Sequence, residues 1–75
     1  MITSDQVSTA RRLLGWTLIR LSSYSRVSDV TIEKFEKHKF CSQTSLEAIQ
    51  RALEIGGVEF TNFGQPGVRM KKAPT

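Results

Sequence analysis

Several features that define other classes of protein are scarce in this chain of 75 residues. Cys41 is its only cysteine, so no disulfide can form within the chain, and a reducing cytoplasm is the expected location. No apolar run exceeds three residues, and the opening MITSDQV is too polar for a signal peptide. We therefore expect neither a membrane span nor secretion, and the length allows a single domain.

Residue patterns that support catalysis or metal binding are also missing. His38 is the only histidine, and no cysteine or carboxylate stands at metal-ligand spacing from it. The serines form no GxSxG motif, and GQPG lacks the Lys, the Ser and the following helix of a phosphate loop. The sequence therefore predicts no enzyme, no cofactor and no metal site.

The charge of the chain points instead to an anionic partner. Eleven Lys and Arg residues oppose seven Asp and Glu residues, which gives a net charge of +4. A modest basic excess suits nucleic acid but does not identify it.

Polar capping residues and glycines predict four short helices. Thr3 and Gln6 have capping-box spacing, so the first helix should span about residues 4–14 and end at Gly15. Thr17 should cap a second helix that runs to about Tyr24. Ser28 should cap the third, within VSDVTIEKFEKHK (27–39). A capping box at 44–47 should begin the fourth, which reaches about residue 55 and ends at the glycines of positions 56 and 57.

The C-terminal residues predict a β-hairpin. Val58 and Phe60 alternate on one arm, Val68 and Met70 on the other, around a Gly/Pro turn. This divides the chain into a helical domain (1–57), a hairpin (58–72) and a disordered tail (73–75). Because an isolated two-stranded ribbon is marginal in water, we expect Phe60, Val68 and Met70 to form a dimer interface, or to pack on the fourth helix of the same molecule.

The third helix has a thin apolar stripe, with only Val27, Ile32 and Phe35 able to enter a core. Two short helices joined by a tight turn, the second polar on its outer side, are typical of a helix-turn-helix. A recognition helix packs on one narrow side and leaves the rest free to enter the major groove of DNA. The candidate DNA-binding residues are Ser28, Asp29, Val30, Thr31, Glu33, Lys34, Lys37 and Lys39.

These candidates differ in their expected contacts. Lys34 suits guanine, and Val30 and Thr31 suit thymine methyl groups. Asp29 and Glu33 could accept from cytosine, but Asp29 also fits the positive end of the helix dipole and Glu33 a solvated surface. The lysines at 37 and 39 could anchor phosphates or be solvated.

Three segments of the chain are ARRLLGW, L21-S22…V27-S28…T31-I32…F35-E36 and LEAIQRALEIGGVEF, the last followed by GVRMKK. Together they resemble the phage-repressor-like (Xre or Cro-type) helix-turn-helix regulators. The resemblance implies a mainly α, four-helix, lambda-repressor-like DNA-binding domain that acts as a dimer. It also implies a partly buried salt bridge between Arg11 and Glu36. The implied function is a bacterial, nucleoid-associated transcriptional regulator, with repression at a palindromic operator as the simplest mechanism.

Three residues depart from the family pattern. Arg26 replaces the glycine usual in the turn, Leu18 replaces a phosphate-contacting Gln, and Ile19 replaces a polar residue. The apolar pair at 18 and 19, with the acidic residues of the third helix, favours an alternative: an antitoxin-like or anti-activator module whose partner is another protein.

Overall fold

Four helices and one antiparallel hairpin make up residues 2–61 and 67–71, the part of the chain described by the computed structural model. The prediction of a mainly helical chain with a small hairpin is confirmed. The elements are α1 (Ser4–Leu14), α2 (Leu18–Ser25), α3 (Asp29–Glu36), α4 (Gln43–Gly56), β1 (Val58–Thr61) and β2 (Gly67–Met70). The predicted turn at 64–66, Lys72 and the predicted disordered tail at 73–75 lie outside the described residues.

Helix α1 begins and ends where its local signals predict. The Thr3 hydroxyl accepts a hydrogen bond from the Gln6 backbone N–H at 3.1 Å, and the Gln6 side-chain oxygen accepts from the Thr3 N–H at 2.8 Å. This reciprocal pair is the capping box. Gly15 ends the helix in the left-handed conformation, with φ of 69°, which glycine adopts without steric cost.

Helix α4 begins two residues earlier than predicted. Its N-cap is Ser42, whose hydroxyl accepts from the Ser45 N–H at 3.2 Å, and Thr44 lies inside the first turn. The prediction of a capping box at 44–47 was therefore wrong. Ser42 is as good a cap as threonine, and capping there adds helical backbone hydrogen bonds.

Helix α3 is shorter than the predicted stretch of 27–39. It ends at Glu36, and His38 adopts a left-handed conformation with φ of 66°. The His38 N–H bonds to the Phe35 carbonyl at 2.9 Å, and the Lys39 N–H bonds to the Lys34 carbonyl at 2.9 Å. This pair of bonds is a Schellman ending, which satisfies the last carbonyls of the helix.

One core lies between the helices and one side of the hairpin. Its fully buried large side chains are Val7, Leu21, Ile32, Ile49, Leu53 and Val58. Leu13, which shares the helical spacing of the α1 stripe, is instead 46% exposed. It stands about 100° around the helix from Leu14, beyond the edge of the buried side.

The hairpin packs on its own domain. Phe60 pairs with Val68 and Val58 with Met70, as the alternation predicts. Phe60 and Val68 are partly buried against the core, whereas Met70 is 47% exposed. The buried Gln6 amide donates to the carbonyl oxygens of Gly67 at 3.0 Å and Thr61 at 3.4 Å, so α1 holds both strands.

Candidate nucleic-acid interface

A tight connection joins α2 to α3. Thr17 caps α2 through a hydrogen bond from the Arg20 N–H at 3.1 Å. Arg26 ends α2 with φ of 62°, where the resembled family prefers glycine. The Ser25 hydroxyl then accepts from the Val27 N–H at 3.2 Å, and Val27 is buried. The connection therefore holds α3 at a fixed angle to α2, although a non-glycine residue occupies the left-handed position.

The first turn of α3 is held by its own side chains. The Ser28 hydroxyl accepts from the Thr31 N–H at 3.1 Å and donates to the Thr31 hydroxyl oxygen at 2.7 Å. The Asp29 carboxylate accepts from the Val30 N–H at 2.9 Å. These contacts favour the interpretation of Asp29 as a helix-terminal residue, since its carboxylate already faces a backbone donor.

The outer side of α3 faces solvent. Val30 is 55% exposed, Glu33 and Lys34 are exposed, and Thr31 is half-buried. Ile32 is the only fully buried residue of the helix. The structure therefore brings the predicted readers together on one accessible surface.

Lys37 and Lys39 lie at the end of α3: Lys37 is its C-cap, with its N–H bonded to the Glu33 carbonyl, and Lys39 follows the last turn. Both side chains are exposed. Their position at the negative end of the helix suits cations. Lys37, three residues after Lys34, continues the outward side of the helix, whereas Lys39 lies past the helix end.

A bidentate ion pair fixes α3 to α1. The Arg11 Nε and Nη2 atoms lie 2.8 and 2.9 Å from the two carboxylate oxygens of Glu36. Arg11 also donates to the Trp16 carbonyl at 3.0 Å. The side chains are only 17% and 11% exposed, and the hydrogen bond to Glu36 raises the pKa of Arg11 against the opposing effect of burial.

A second polar contact joins the end of α3 to the start of α1. The Ser4 hydroxyl and His38 Nδ1 are 2.6 Å apart, and His38 Nε2 lies 3.8 Å from the Asp5 carboxylate. These are the residue types of a hydrolase triad, but Ser4 is 8% exposed and lies in the first turn of α1. A nucleophile must reach its substrate, so the contact serves to position the helix.

This contact was not predicted from the sequence. Its members are 34 residues apart, and no local pattern links them. The only available signal was His38 itself, since histidine is enriched among the few non-glycine residues in the left-handed region.

Charges near α3 are mixed along its length. Carboxylates occupy its first two turns, at Asp29 and Glu33, while the cations lie at its end and in the turns beside it. Those cations are Arg26, Lys34, Lys37 and Lys39. At the start of α2, Leu18 is partly buried on the core, so Ile19, 72% exposed, is the only apolar side chain of that pair on the surface.

Other chemistry has little support in the described residues. Burial raises the pKa of the Cys41 thiol, and a hydrogen bond with Ser45 opposes this effect without cancelling it. The raised pKa lowers the thiolate fraction at neutral pH. Within residues 2–61 and 67–71, no three His, Cys, Asp or Glu side chains are grouped to hold a metal ion. None of the helices in those ranges is long and apolar enough to cross a membrane.

Comparison with known proteins gave no assignment of family. A scan of protein-family models and a search of curated proteins both found no match to this chain.

Proposed function

We propose that this protein is a sequence-specific regulator of transcription that binds double-stranded DNA through a lambda-repressor-like helix-turn-helix formed by α2 and α3. It acts in the bacterial cytoplasm at the nucleoid, as a binding protein without catalytic activity. The observation that carries the proposal is the setting of α3. Ile32 alone is fully buried, while Val30, Glu33 and Lys34 are exposed on a helix fixed at both ends.

A fixed, exposed helix suits the major groove. The groove is about 12 Å wide and admits one helix, whose outward side chains then meet base edges. Val30 and Thr31 offer methyl groups to thymine, and Lys34 offers an ammonium donor to guanine O6 and N7. Ser28 lies at the N-terminus of the helix, where backbone N–H groups also favour phosphate oxygens.

The lysines beyond α3 are assigned to the DNA backbone. Lys37, the C-cap of α3, and Lys39, just past the helix end, are exposed, so they suit phosphates flanking the groove. Each phosphate contact releases condensed counterions, which makes binding salt-dependent. One domain with so few cations binds weakly, so we propose that two copies occupy palindromic half-sites about 34–36 Å apart, and that repression follows from blocking a promoter.

The test separates base reading from backbone anchoring. Duplexes selected from a random pool, and scrambled versions of them, would be titrated at several salt concentrations with Lys34→Ala, Lys39→Ala and Lys71→Ala. Lys34→Ala should lose about 1–3 kcal/mol of discrimination between selected and scrambled duplexes. Lys39→Ala should weaken binding to both and reduce the salt slope by about one unit.

Lys71→Ala is the matched control, because this exposed lysine follows β2, on the hairpin rather than on α2 or α3. It should leave affinity and preference unchanged. If Lys34→Ala behaves like Lys71→Ala, α3 does not read DNA through that residue.

The second candidate function is binding to another protein. The exposed Ile19 and Val30 and the carboxylates of Asp29 and Glu33 favour it, since apolar and acidic groups gain nothing from phosphates. This candidate takes over if no duplex is enriched from the pool. Tight, salt-insensitive capture of a polypeptide that is lost with Ile19→Asp would then support it.

A further inference from the structure

The outer side of α3 carries a carboxylate that binding to phosphates does not explain. Glu33 is exposed, and within the described part of the chain its side chain takes part in no ion pair and no hydrogen bond. Asp29 differs, because its carboxylate accepts from the Val30 N–H at 2.9 Å. Phosphates repel a carboxylate, so Glu33 is favourable on a surface that meets DNA only if it faces a hydrogen-bond donor.

Cytosine supplies such a donor. In the major groove, guanine presents two acceptors, thymine presents the acceptor O4, and adenine presents the acceptor N7 beside its N6 donor. Cytosine presents only its N4 amino group, which is a donor. A carboxylate is therefore matched to cytosine and opposed by an acceptor on each of the other three bases.

Val30 lies where it can meet an apolar group on the same base. It is 55% exposed, and Glu33 and Lys34 follow it by three and four residues, on the same side of α3. Long side chains on a helix lean toward its N-terminus. Glu33 and Lys34 therefore extend over the turn that carries Val30, and the three side chains converge on one small area of the surface.

We propose that these three residues recognise a base pair of guanine with cytosine methylated at C5. The inference rests on the proposed function, since it requires α3 to lie in the major groove. Glu33 accepts from the cytosine N4 amino group, Val30 contacts the methyl group on C5, and Lys34 donates to O6 and N7 of the paired guanine. Each group that this base pair presents in the groove then meets a side chain of matching chemistry.

The arrangement separates methylated cytosine from the two bases most similar to it. Thymine carries the same methyl group at C5, but its O4 acceptor repels the Glu33 carboxylate. Unmethylated cytosine keeps the contact with Glu33 but leaves Val30 without an apolar partner. Glu33 therefore rejects thymine, and Val30 distinguishes methylated from unmethylated cytosine.

Selection from two random pools of duplexes tests this assignment, one pool synthesised with cytosine and the other with 5-methylcytosine. The methylated pool should enrich duplexes that share a C·G pair at one fixed position. Each enriched duplex would then be titrated with cytosine, 5-methylcytosine or thymine at that position, opposite the complementary base.

The wild type should bind the methylated duplex about fourfold more tightly than the unmethylated one, which is the effect of burying one methyl group. It should bind the methylated duplex at least about fivefold more tightly than the thymine duplex, the lower limit for one good base contact.

Val30→Ala should bind the methylated and unmethylated duplexes equally, because alanine is too short to reach the methyl group. Ile55→Ala is the matched control, since Ile55 is 80% exposed at the end of α4. It lies beside an apolar pocket lined in part by Trp16 and Tyr24, to which α3 contributes no residue. This variant should keep the fourfold preference. Both variants should fold, because each replaces a mostly exposed side chain with a residue that favours helix.

Glu33→Gln should change the preferred base. An amide can bond to N6 and N7 of adenine, so this variant should favour adenine at the position and lose the preference for cytosine over thymine. Asp29→Asn is the matched control, because it removes a charge from the same helix at a carboxylate that already faces a backbone donor. It should keep the preference for methylated cytosine.

Three results would overturn the assignment while leaving DNA binding intact. They are equal binding of cytosine and 5-methylcytosine by the wild type, a methyl preference that Val30→Ala retains, and the same base preference in Glu33→Gln as in the wild type. The first result, together with a required thymine at the next base pair, would place Val30 on the neighbouring base. If neither pool yields a duplex that binds, the proposed function fails and the assignment fails with it.

Discussion

Replacing Glu36 with glutamine should destabilise the domain by about 2–3 kcal/mol, a value between those of exposed and buried ion pairs. The change keeps the size of the side chain and removes its charge. Arg11 then remains in a partly buried position, hydrogen-bonded to the Trp16 carbonyl but without a counter-charge. The substitution removes the only described ion pair that joins α3 to another helix by a bidentate contact.

The magnitude follows from burial and geometry. An exposed ion pair contributes about 0–1 kcal/mol, and breaking a fully buried one costs about 3–5 kcal/mol. With side chains 17% and 11% exposed, the pair between Arg11 and Glu36 lies nearer the buried limit. A chain of this length has roughly 4–11 kcal/mol of total stability, so the melting temperature should fall by roughly 10–20 °C.

Thermal and urea unfolding would measure this loss, with Glu59→Gln as the control. Glu59 accepts from Arg69 Nε at 2.8 Å, but this pair is 38% and 69% exposed. The same chemical change there should cost at most about 1 kcal/mol. If Glu36→Gln and Glu59→Gln shift the melting temperature equally, burial does not strengthen the Arg11–Glu36 pair and the reasoning fails.

The penalty should not depend on pH in the neutral range. The hydrogen bond with Glu36 raises the pKa of Arg11 above its ordinary value. A cation with a raised pKa contributes stability that is complete below its unfolded pKa and is lost only as pH rises through its folded pKa. For arginine both values lie far above neutrality. The difference between wild type and Glu36→Gln should therefore be equal at neutral and mildly alkaline pH.

Two further substitutions test the left-handed turn before α3 and the contact between α1 and the hairpin. Arg26→Gly should raise stability by about 0.5–1 kcal/mol, because a left-handed residue other than glycine costs about 1–2 kcal/mol and glycine loses part of that gain to entropy. The control, Arg26→Ala, should change stability little. A lower melting temperature for the glycine variant would contradict the explanation. Gln6→Leu should cost about 1–3 kcal/mol, since the Thr61 and Gly67 carbonyls lose a buried donor. Its control is Gln43→Leu at an exposed position, and unchanged amide exchange in the hairpin of Gln6→Leu would count against the role of Gln6.

Elements with complete local signals could be predicted from the sequence. Helix α1 has a capping box at one end and a glycine at the other, and both signals depend on residues within four positions. The strand pairing also follows from local alternation, which sets Phe60 opposite Val68. In these elements the nearest neighbours in sequence decide the conformation.

The ends of elements with competing local signals could not be predicted in this way. Ser42, Thr44 and Ser45 all carry hydroxyl groups that can cap α4, and the pattern T-S-L-E favoured the wrong one. At the end of α3, the helical spacing of charges continued past Glu36, but His38 adopts a left-handed conformation and contacts Ser4 across the fold. Tertiary contacts of this kind leave no trace in a local pattern.

The candidate surfaces show the same limit. The exposure of Val30 and Lys34 follows from the spacing of α3, so the outward residues could be predicted. The pocket beside Ile55 could not be predicted, because two of the residues that line it, Trp16 and Tyr24, come from other parts of the chain. The sequence gives the side of a helix that faces outward, but it does not show which neighbours meet there.

The placement of α3 depends on polar contacts because its apolar contacts are few. A helix that buries one residue completely gains roughly 1.5–3 kcal/mol from that side chain, too little to fix its orientation alone. Phe35 adds partial burial against the core, and the ends supply the remaining restraints: the buried Val27 just before the first turn, and the Arg11–Glu36 pair at the last. If α3 reads DNA, its outer side must stay free of intramolecular contacts, so the fold can hold it only from beneath and from its termini. Glu36→Gln should therefore reduce DNA affinity even at temperatures where the domain remains folded, because the helix loses part of its fixed orientation.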